Sequence, residues 1–504
     1  MPTISKSSIS SRIVNSSIMM GAFRDSAVKG SALTEIRPQY SLTGSVHRYS
    51  LAFAESIATD PDMTMRDMLA SMKDPSVEGL KNSIVAAQSG ELIRLDSSGT
   101  LRKNPAYQGL AWLIRCLPKT DCHVHISNNL HESEIAEITG ESTSQVKAKV
   151  EENDDYYITS YEILQNVIET TCQRFFEDGV ESFNIRLNPL KEYSGKKGKD
   201  KPSEEEWKII TRRFMNVVEN GIKTAVVEAK EKGFLPLNYE DSVGIVFSFN
   251  RGKPANGDFL IHELGKFALE ACKNNGRLKG VDISGSEISA KREGEPGREK
   301  LDPQKWNLVI ETAKEMGIFV TTHLDFRISR SSPDIIEKLK SFRGLNRIRE
   351  MLEIYVPFAQ DFIDILPPGS GIGHGYILYP EYLITPLWDS GVLGINIGST
   401  EIPIELQDAI IALRETAADK VLHIEHNPCA AFRHHLDINM YSRSMIYGFP
   451  ENRIPLKIGT DAGIYSMSRP RVLSEEIARL LISAPPESKI TFRQMLGFSG
   501  CEIV

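Results

Sequence analysis

From about residue 105 onward, short apolar runs alternate with amphipathic helical stretches, and that alternation leaves few architectures open. The strand-like runs are 120–125, 182–187, 243–248, 280–284, 318–323, 371–374, 421–426 and 455–460. Helical stretches, such as 207–230 and 303–316, lie between them. Eight strands separated by helices predict an α/β fold in which a parallel sheet closes as a (β/α)8 barrel. An open doubly wound sheet would want a Gly-rich turn after its first strand. Here that strand ends in His-x-His instead. The segment 391–420 holds a further strand-like piece (392–397) and a helix, and is longer than a usual connection, so it is expected to be an insertion.

These boundaries assign residues 105–504 to the barrel and 1–104 to an N-terminal extension. Residues 1 to about 45 are rich in Ser, which predicts an arm that is flexible or bound to a partner. Met19-Met-Gly-Ala-Phe23 would suit docking on a neighbouring subunit, making the extension a route to a homo-oligomer; the plain alternative is a loose terminus. From Tyr49 to Gln88 the spacing of Leu69, Met72, Val77, Leu80, Ile84 and Val85 predicts helix.

Composition narrows the function classes. A chain of 504 residues with 41% hydrophobic and 25% charged residues reads as soluble and globular. Its net charge of −8 argues against broad nucleic-acid binding. No apolar run approaches the roughly 18 residues of a membrane span. Six scattered cysteines without a CxxC pair predict free thiols in a reducing compartment. No apolar run of signal-peptide length follows the opening residues, so the expected location is cytoplasmic.

The residues able to do chemistry gather at strand ends. Lys119-Thr-Asp-Cys-His-Val-His-Ile126 places His123 and His125 one residue apart. Alternate strand residues leave the same face, so both imidazoles can reach one metal ion. His323 ends the fifth strand, His374 the sixth and Asp461 the eighth. In such a barrel the reactive face lies at the C-terminal strand ends. Three imidazoles and one carboxylate with an open position suit Zn²⁺, one per chain. The remaining histidine would then act as acid or base. Any one of these residues read alone is equally at home in a core hydrogen bond; the set of four strand ends is what points to a site.

Leu117-Pro-Lys-Thr-Asp-Cys-His-Val-His125 resembles the opening motif of the adenosine/AMP deaminase family, within the metal-dependent amidohydrolases. Glu181-Ser-Phe-Asn-Ile-Arg-Leu-Asn-Pro189, Gly280-Val-Asp-Ile-Ser-Gly-Ser-Glu287, Gly373-His-Gly-Tyr376, Ile424-Glu-His-Asn-Pro428 and Ile458-Gly-Thr-Asp461 resemble its later strand motifs, in order. The resemblance covers about residues 105 to 490. It implies that His123, His125, His323 and Asp461 hold zinc and that His374 orients and deprotonates the attacking water. It implies that Gly285 lets a purine ring approach the backbone. Water would attack C6 of an adenine ring, and ammonia would leave.

Three departures from that pattern stand out. Phe326 stands where the family carries a ring-protonating Glu; Asp325, one residue earlier, is the candidate replacement, and its plain alternative is a turn cap or a pair with Arg327. Ala462 replaces the second residue of a paired Asp-Asp. Asn128 replaces a Gly, and Ser127 stands where many nucleoside-acting members carry an acid.

Basic residues recur in three loops: Lys191, Lys196, Lys197, Lys199 and Lys201; Lys291 and Arg292; Arg327 and Arg330. In an acidic chain, one rim bearing all three would attract a phosphorylated substrate, whereas the plain reading is solvated loop charge. Lys197 and Arg327 are the candidate phosphate contacts, and the first of these loops ends in a capping-box sequence, Ser203-Glu-Glu-Glu206. Three functions stay open: a zinc-dependent aminohydrolase of an adenine nucleoside or nucleotide (adenosine, deoxyadenosine, AMP or dAMP); an amidohydrolase on another amine or amide; and a non-catalytic nucleotide-binding or assembly protein on a deaminase scaffold. His426 is placed to line the pocket; no second metal is expected there. His47, His131, His262, His423, His434 and His435 receive no role.

Overall fold

The computed structural model describes residues 3–4, 44–71, 78–88, 93–95, 101–117, 119–126, 130, 132–153, 158, 160–189, 202–232, 242–250, 261–284, 303–324, 342–379, 404–428, 444–447, 453–461 and 472–503. Eight parallel strands form one sheet in sequence order: β1 (Lys119–His125), β2 (Val180–Leu187), β3 (Val243–Asn250), β4 (Leu278–Ser284), β5 (Phe319–His323), β6 (Gly371–Gly373), β7 (His423–His426) and β8 (Leu456–Ile458). Helices α1 (Tyr161–Glu177), α2 (Glu204–Glu231), α3 (Ile261–Ala271), α4 (Asn307–Glu315), α5 (Phe342–Ile365), α6 (Ile404–Asp419) and α7 (Leu473–Ile482) follow the strands around the outside. This is the (β/α)8 barrel that the alternation predicts. Helix α6 lies in the connection from β6 to β7, packed against α5, while 392–397 lies outside the described residues.

The closure of the barrel bears on the site. At its upper end Asp461 N–H donates to His123 O (2.7 Å) and His125 N–H to Asp461 O (3.2 Å), a parallel bridge between Val124 and Asp461. Lower down, Phe498 and Ser499 fill the seam: Ile458 N–H donates to Phe498 O (2.9 Å) and Thr120 N–H to Ser499 O (2.7 Å). The strand backbone of the seam is thus completed by a C-terminal segment below and by a candidate ligand above.

Side-chain alternation then sorts the residues. On β2, Phe183 stacks on Phe175 of α1 with ring centroids 4.9 Å apart. Its neighbours Asn184 and Arg186 point the other way, into the barrel. Helix α2 begins on the predicted capping box: Ser203 and Glu206 satisfy each other's backbone N–H, and Trp207 behind them is buried. The apolar strands β3 to β5 read as nearly continuous runs because both faces are covered.

Ahead of the barrel lie helices at Gly44–Thr59, Met65–Ser71 and Glu78–Gln88, in the stretch read as helical. The first packs on the helix Pro105–Arg115. The turn after it docks on the C-terminal helix Phe492–Gly497: Phe492 N–H donates to Met63 O (3.1 Å), and Arg493 pairs with Asp62. A short parallel pairing joins Thr3–Ile4 to Glu502–Ile503. The segment 19–23 lies outside the described residues.

Candidate metal centre

His123 and His125 leave β1 on its inner face, with Asp121 two residues below. His323 ends β5; His374 follows β6, and Asp461 follows β8. These five side chains meet at the C-terminal end of the barrel. His123 Nε2 and His125 Nε2 are 3.1 Å apart, and Asp461 Oδ1 lies 3.7 and 3.6 Å from them. The His323 ring centroid is 5.0 Å from that of His123 and 5.6 Å from that of His125. His374 Nε2 is 3.6 Å from Asp461 Oδ2. One ligand atom from each of His123, His125 and His323 falls within a 4.8 Å group, and so does one from each of His123, His374 and Asp461.

The donor set fits a divalent cation. Nitrogens bound at 2.0–2.1 Å to a tetrahedral zinc stand about 3.3 Å apart, close to the separations here. The lone pairs are also available. His123 Nδ1 donates to Glu425 Oε2 (3.0 Å), and His323 Nδ1 donates to Asp282 Oδ1 (2.9 Å). A carboxylate only accepts, so each contact fixes the proton on Nδ1 and leaves Nε2 as a ligand. Burial, then the positive Arg186, holds the pKa of His123 below its usual value; burial also pushes that of His125 well down. Both shifts favour the neutral imidazole that a metal ligand must be.

Two of the five residues sit in the left-handed backbone region without being glycine: His374 at φ 63° and Asp461 at φ 52°. That conformation is sparsely populated and persists where surroundings enforce it. Asp461 is held by its two backbone bonds to β1. His374 N–H donates to Glu425 O (2.9 Å), and Asn427 Nδ2 lies 3.4 Å from His374 Nδ1, so Nε2 is the nitrogen facing Asp461. Gly459 makes room beneath: a Cβ there would stand 2.7 Å from His123 Cβ and 2.6 Å from Asn427 Oδ1.

Below the histidines lies a charged layer that received no role from sequence. Arg186 on β2 reaches both carboxylates that orient the histidines. Its Nη2 donates to Glu425 Oε2, and its Nη1 is ion-paired with Asp282 Oδ2 at 3.1 Å without hydrogen-bond alignment. Thr321 Oγ1 also donates to Glu425 (3.1 Å), and Ser248 Oγ to Asp282 (3.0 Å). All of these groups are buried. Burial alone would raise the pKa of Glu425 and of Asp282. For Glu425 the Arg186 charge outweighs it, and for Asp282 the contacts with His323 and Arg186 do; both carboxyls end well below their usual range. The same attraction overcomes the burial of Arg186 and holds its proton more firmly. Asp121 accepts from Thr460 N–H and Oγ1 (2.8 Å for the latter), and burial pushes it up to about 7.

The signal for this layer is visible in hindsight: a charge at an inward position of an otherwise apolar strand, as in Phe-Asn-Ile-Arg-Leu, Gly-Val-Asp-Ile and His-Ile-Glu-His. Of the other predicted positions, Asp325, Gly285, Ser127, Lys197 and Arg327 lie outside the described residues, as do Asn128, Phe326, Ala462 and the remaining loop lysines and arginines. His426 is wholly buried, with Nε2 2.7 Å from Ser444 Oγ, and burial lowers its pKa to about 3. His423 Nε2 is 3.7 Å from Glu425 Oε1, and His262 packs edge-on against Trp306.

No family model matches the chain, and no curated protein matches it either. Among solved structures, an amidohydrolase from Burkholderia ambifaria with bound Zn aligns over 79% of this chain and 84% of its own, at 11% identity and TM-score 0.40. An adenine deaminase from Arthrobacter aurescens aligns over 68% and 82%, at 11% identity and TM-score 0.37. Arabidopsis ADAL complexed with GMP aligns over 77% and 91%, at 12% identity and TM-score 0.45. Likeness at this level carries neither a substrate nor a reaction across to this chain.

Proposed function

We propose that this barrel is a zinc-dependent aminohydrolase that replaces the 6-amino group of an adenine nucleoside or nucleotide with oxygen and releases ammonia. The observation that supports it is the convergence of His123, His125, His323, His374 and Asp461, from four separated parts of the chain, with ligand atoms as close as 3.1 Å. His123, His125, His323 and Asp461 would hold the ion. Such an ion, when bound, lowers the pKa of coordinated water to about 7. His374 Nε2 takes the proton from the attacking water, while the backbone contact to Glu425 holds the main chain of His374 and Asn427 lies beside its Nδ1. Asp325 protonates the purine ring nitrogen in place of the acid that Phe326 displaces. Gly285 and Ser127 border the purine nucleoside, and Lys197 and Arg327 receive its phosphate. The water oxygen ends on C6 as the C6–N bond breaks; one water proton completes the departing ammonia, and the other replaces the proton that Asp325 gave to the ring nitrogen.

The first hundred residues serve subunit assembly in this reading, and the protein works in the cytoplasm. Phe326 and Ala462 favour one second reading, an amidohydrolase of a different amine or amide substrate. An absorbance assay of deamination on adenosine, deoxyadenosine and their 5′-phosphates, followed by ammonia release from guanine and pterin compounds, tests both. Turnover of the phosphates above the nucleosides is expected. Equal rates would remove the phosphate contacts, and ammonia from none of the adenine compounds would overturn the proposal.

A further inference from the structure

The proposed metal centre leaves open what sets the spacing between the β1 and β5 histidines. His123 and His323 come from opposite parts of the barrel, and their rings meet edge-on with centroids 5.0 Å apart. Their orienting carboxylates share a partner. Glu425 on β7 holds His123, Asp282 on β4 holds His323, and the guanidinium of Arg186 on β2 contacts both carboxylates. We propose that Arg186 is a positioning residue: one planar cation clamps the two carboxylates, and through them sets where two imidazole nitrogens point. The inference rests on the reading of this site as a metal centre.

Two features make the clamp specific to arginine. The guanidinium is a rigid fork with several N–H donors, so one side chain can serve two carboxylates at once, whereas an ammonium is a point charge. The carboxylates also need a shared cation. Two buried negative charges in one low-dielectric layer repel, and an uncompensated member would protonate or move. A protonated or displaced Glu425 no longer dictates the His123 tautomer. The hydroxyls of Thr321 and Ser248 donate to the same carboxylates but carry no charge, so they cannot replace the clamp. Gly371 keeps space for it, since a Cβ there would stand 2.9 Å from Glu425 Oε1.

The test compares wild type, Arg186→Lys and Lys119→Met at the far end of the barrel. Each is measured for zinc affinity by chelator competition and for its unfolding midpoint without metal. Arg186→Lys is expected to bind zinc roughly 10–100-fold more weakly, the range typical of groups that orient metal ligands. Lys119→Met is expected to be destabilised yet to keep wild-type affinity, which separates positioning from mere stability. Wild-type zinc affinity in folded Arg186→Lys would overturn the proposal. If that variant does not fold, nitrogen-15 spectra of metal-free wild type take its place. Hindered rotation of the Arg186 guanidinium, with Nδ1-protonated His123 and His323, is expected; a freely rotating guanidinium overturns the clamp. Wild type that binds no zinc would instead overturn the metal reading, and the same spectra would still decide the clamp.

Discussion

The two ends of the barrel bury the same kind of chemistry and use it in opposite ways. At the lower end Lys119, fully buried at the start of β1, donates from Nζ to Ile114 O (2.9 Å), Leu117 O (3.0 Å) and Asp178 O. The Asp178 carboxylate, 3.9 Å from that ammonium, accepts from Ser474 N–H (3.0 Å) and Oγ, at the start of α7. Every polar atom there is turned toward another part of the fold. Burial lowers the Lys119 pKa and raises that of Asp178, with each charge opposing the change in the other. At the upper end the carboxylates are equally well satisfied, but Arg186 leaves Nε and Nη1 without hydrogen-bond partners among the described residues, and the imidazoles above keep one nitrogen each for a common point. The lower cluster ties helix ends to strands. The upper cluster spends its hydrogen bonds on aiming lone pairs. Buried charge by itself therefore does not mark a site; convergent, unprotonated ligand atoms do.

The sharpest way to break this contrast is to remove a ligand. His123→Ala is expected to abolish stoichiometric zinc, measured by metal analysis after dialysis, and with it all turnover above background. Retained zinc would mean that the cluster is structural, like its counterpart below. Next in size is His374→Asn, which leaves the proposed ligands in place. Turnover should fall by about 10²–10⁴, the usual contribution of a positioned acid or base, while zinc content stays at wild type. A loss of zinc equal to that in His123→Ala would make His374 a ligand and not a base.

At the lower end, Lys119→Met removes the Nζ donor shared by three carbonyls and the counter-charge of the buried Asp178 carboxylate. Removing one partner of a buried pair typically costs about 3–5 kcal/mol. Denaturant unfolding should show a loss of that order, with zinc affinity unmoved. An altered affinity would mean that the two ends communicate through β1, and the division drawn above would fail.

The same contrast explains which parts of the molecule can be read from the chain. The strand runs ending at His125, His323 and His426 are visible because apolar runs bounded by turns and ended by rare residues stand out locally, and the observed strands end on those residues. Ser203 and Glu206 were legible as a capping box because both partners lie within one turn. The Phe498–Ser499 filler of the β1–β8 seam was not legible, since it works through backbone atoms that every residue has. The layer of Arg186, Asp282 and Glu425 lies inside the strand motifs, yet no role for it is legible there. Its logic is pairwise across 41 positions for Asp282 and His323, and across 302 for His123 and Glu425, and only closure of the barrel brings those pairs together. Residues such as Asp325 and Gly285, which would decide the substrate, stand in connections outside the described residues.

A pair of matched deletions gives the smallest effects and the finest comparison. Thr321→Val removes a hydroxyl that donates to Glu425 at the upper end; Ser474→Ala removes one that donates to Asp178 at the lower end. Both hydroxyls are buried and both serve a carboxylate, so each deletion should cost about 1.5–3 kcal/mol in unfolding experiments without metal. The difference lies in what each carboxylate does next. Glu425 passes its position to His123, so Thr321→Val should also weaken zinc binding, by less than the roughly tenfold lower bound for a group contacting the ligand directly. Asp178 passes its position only to Lys119 and α7, so Ser474→Ala should leave zinc affinity where it was. If both variants change affinity alike, the upper layer holds the histidines no more specifically than the lower one does, and the site's precision must come from the strand backbones alone.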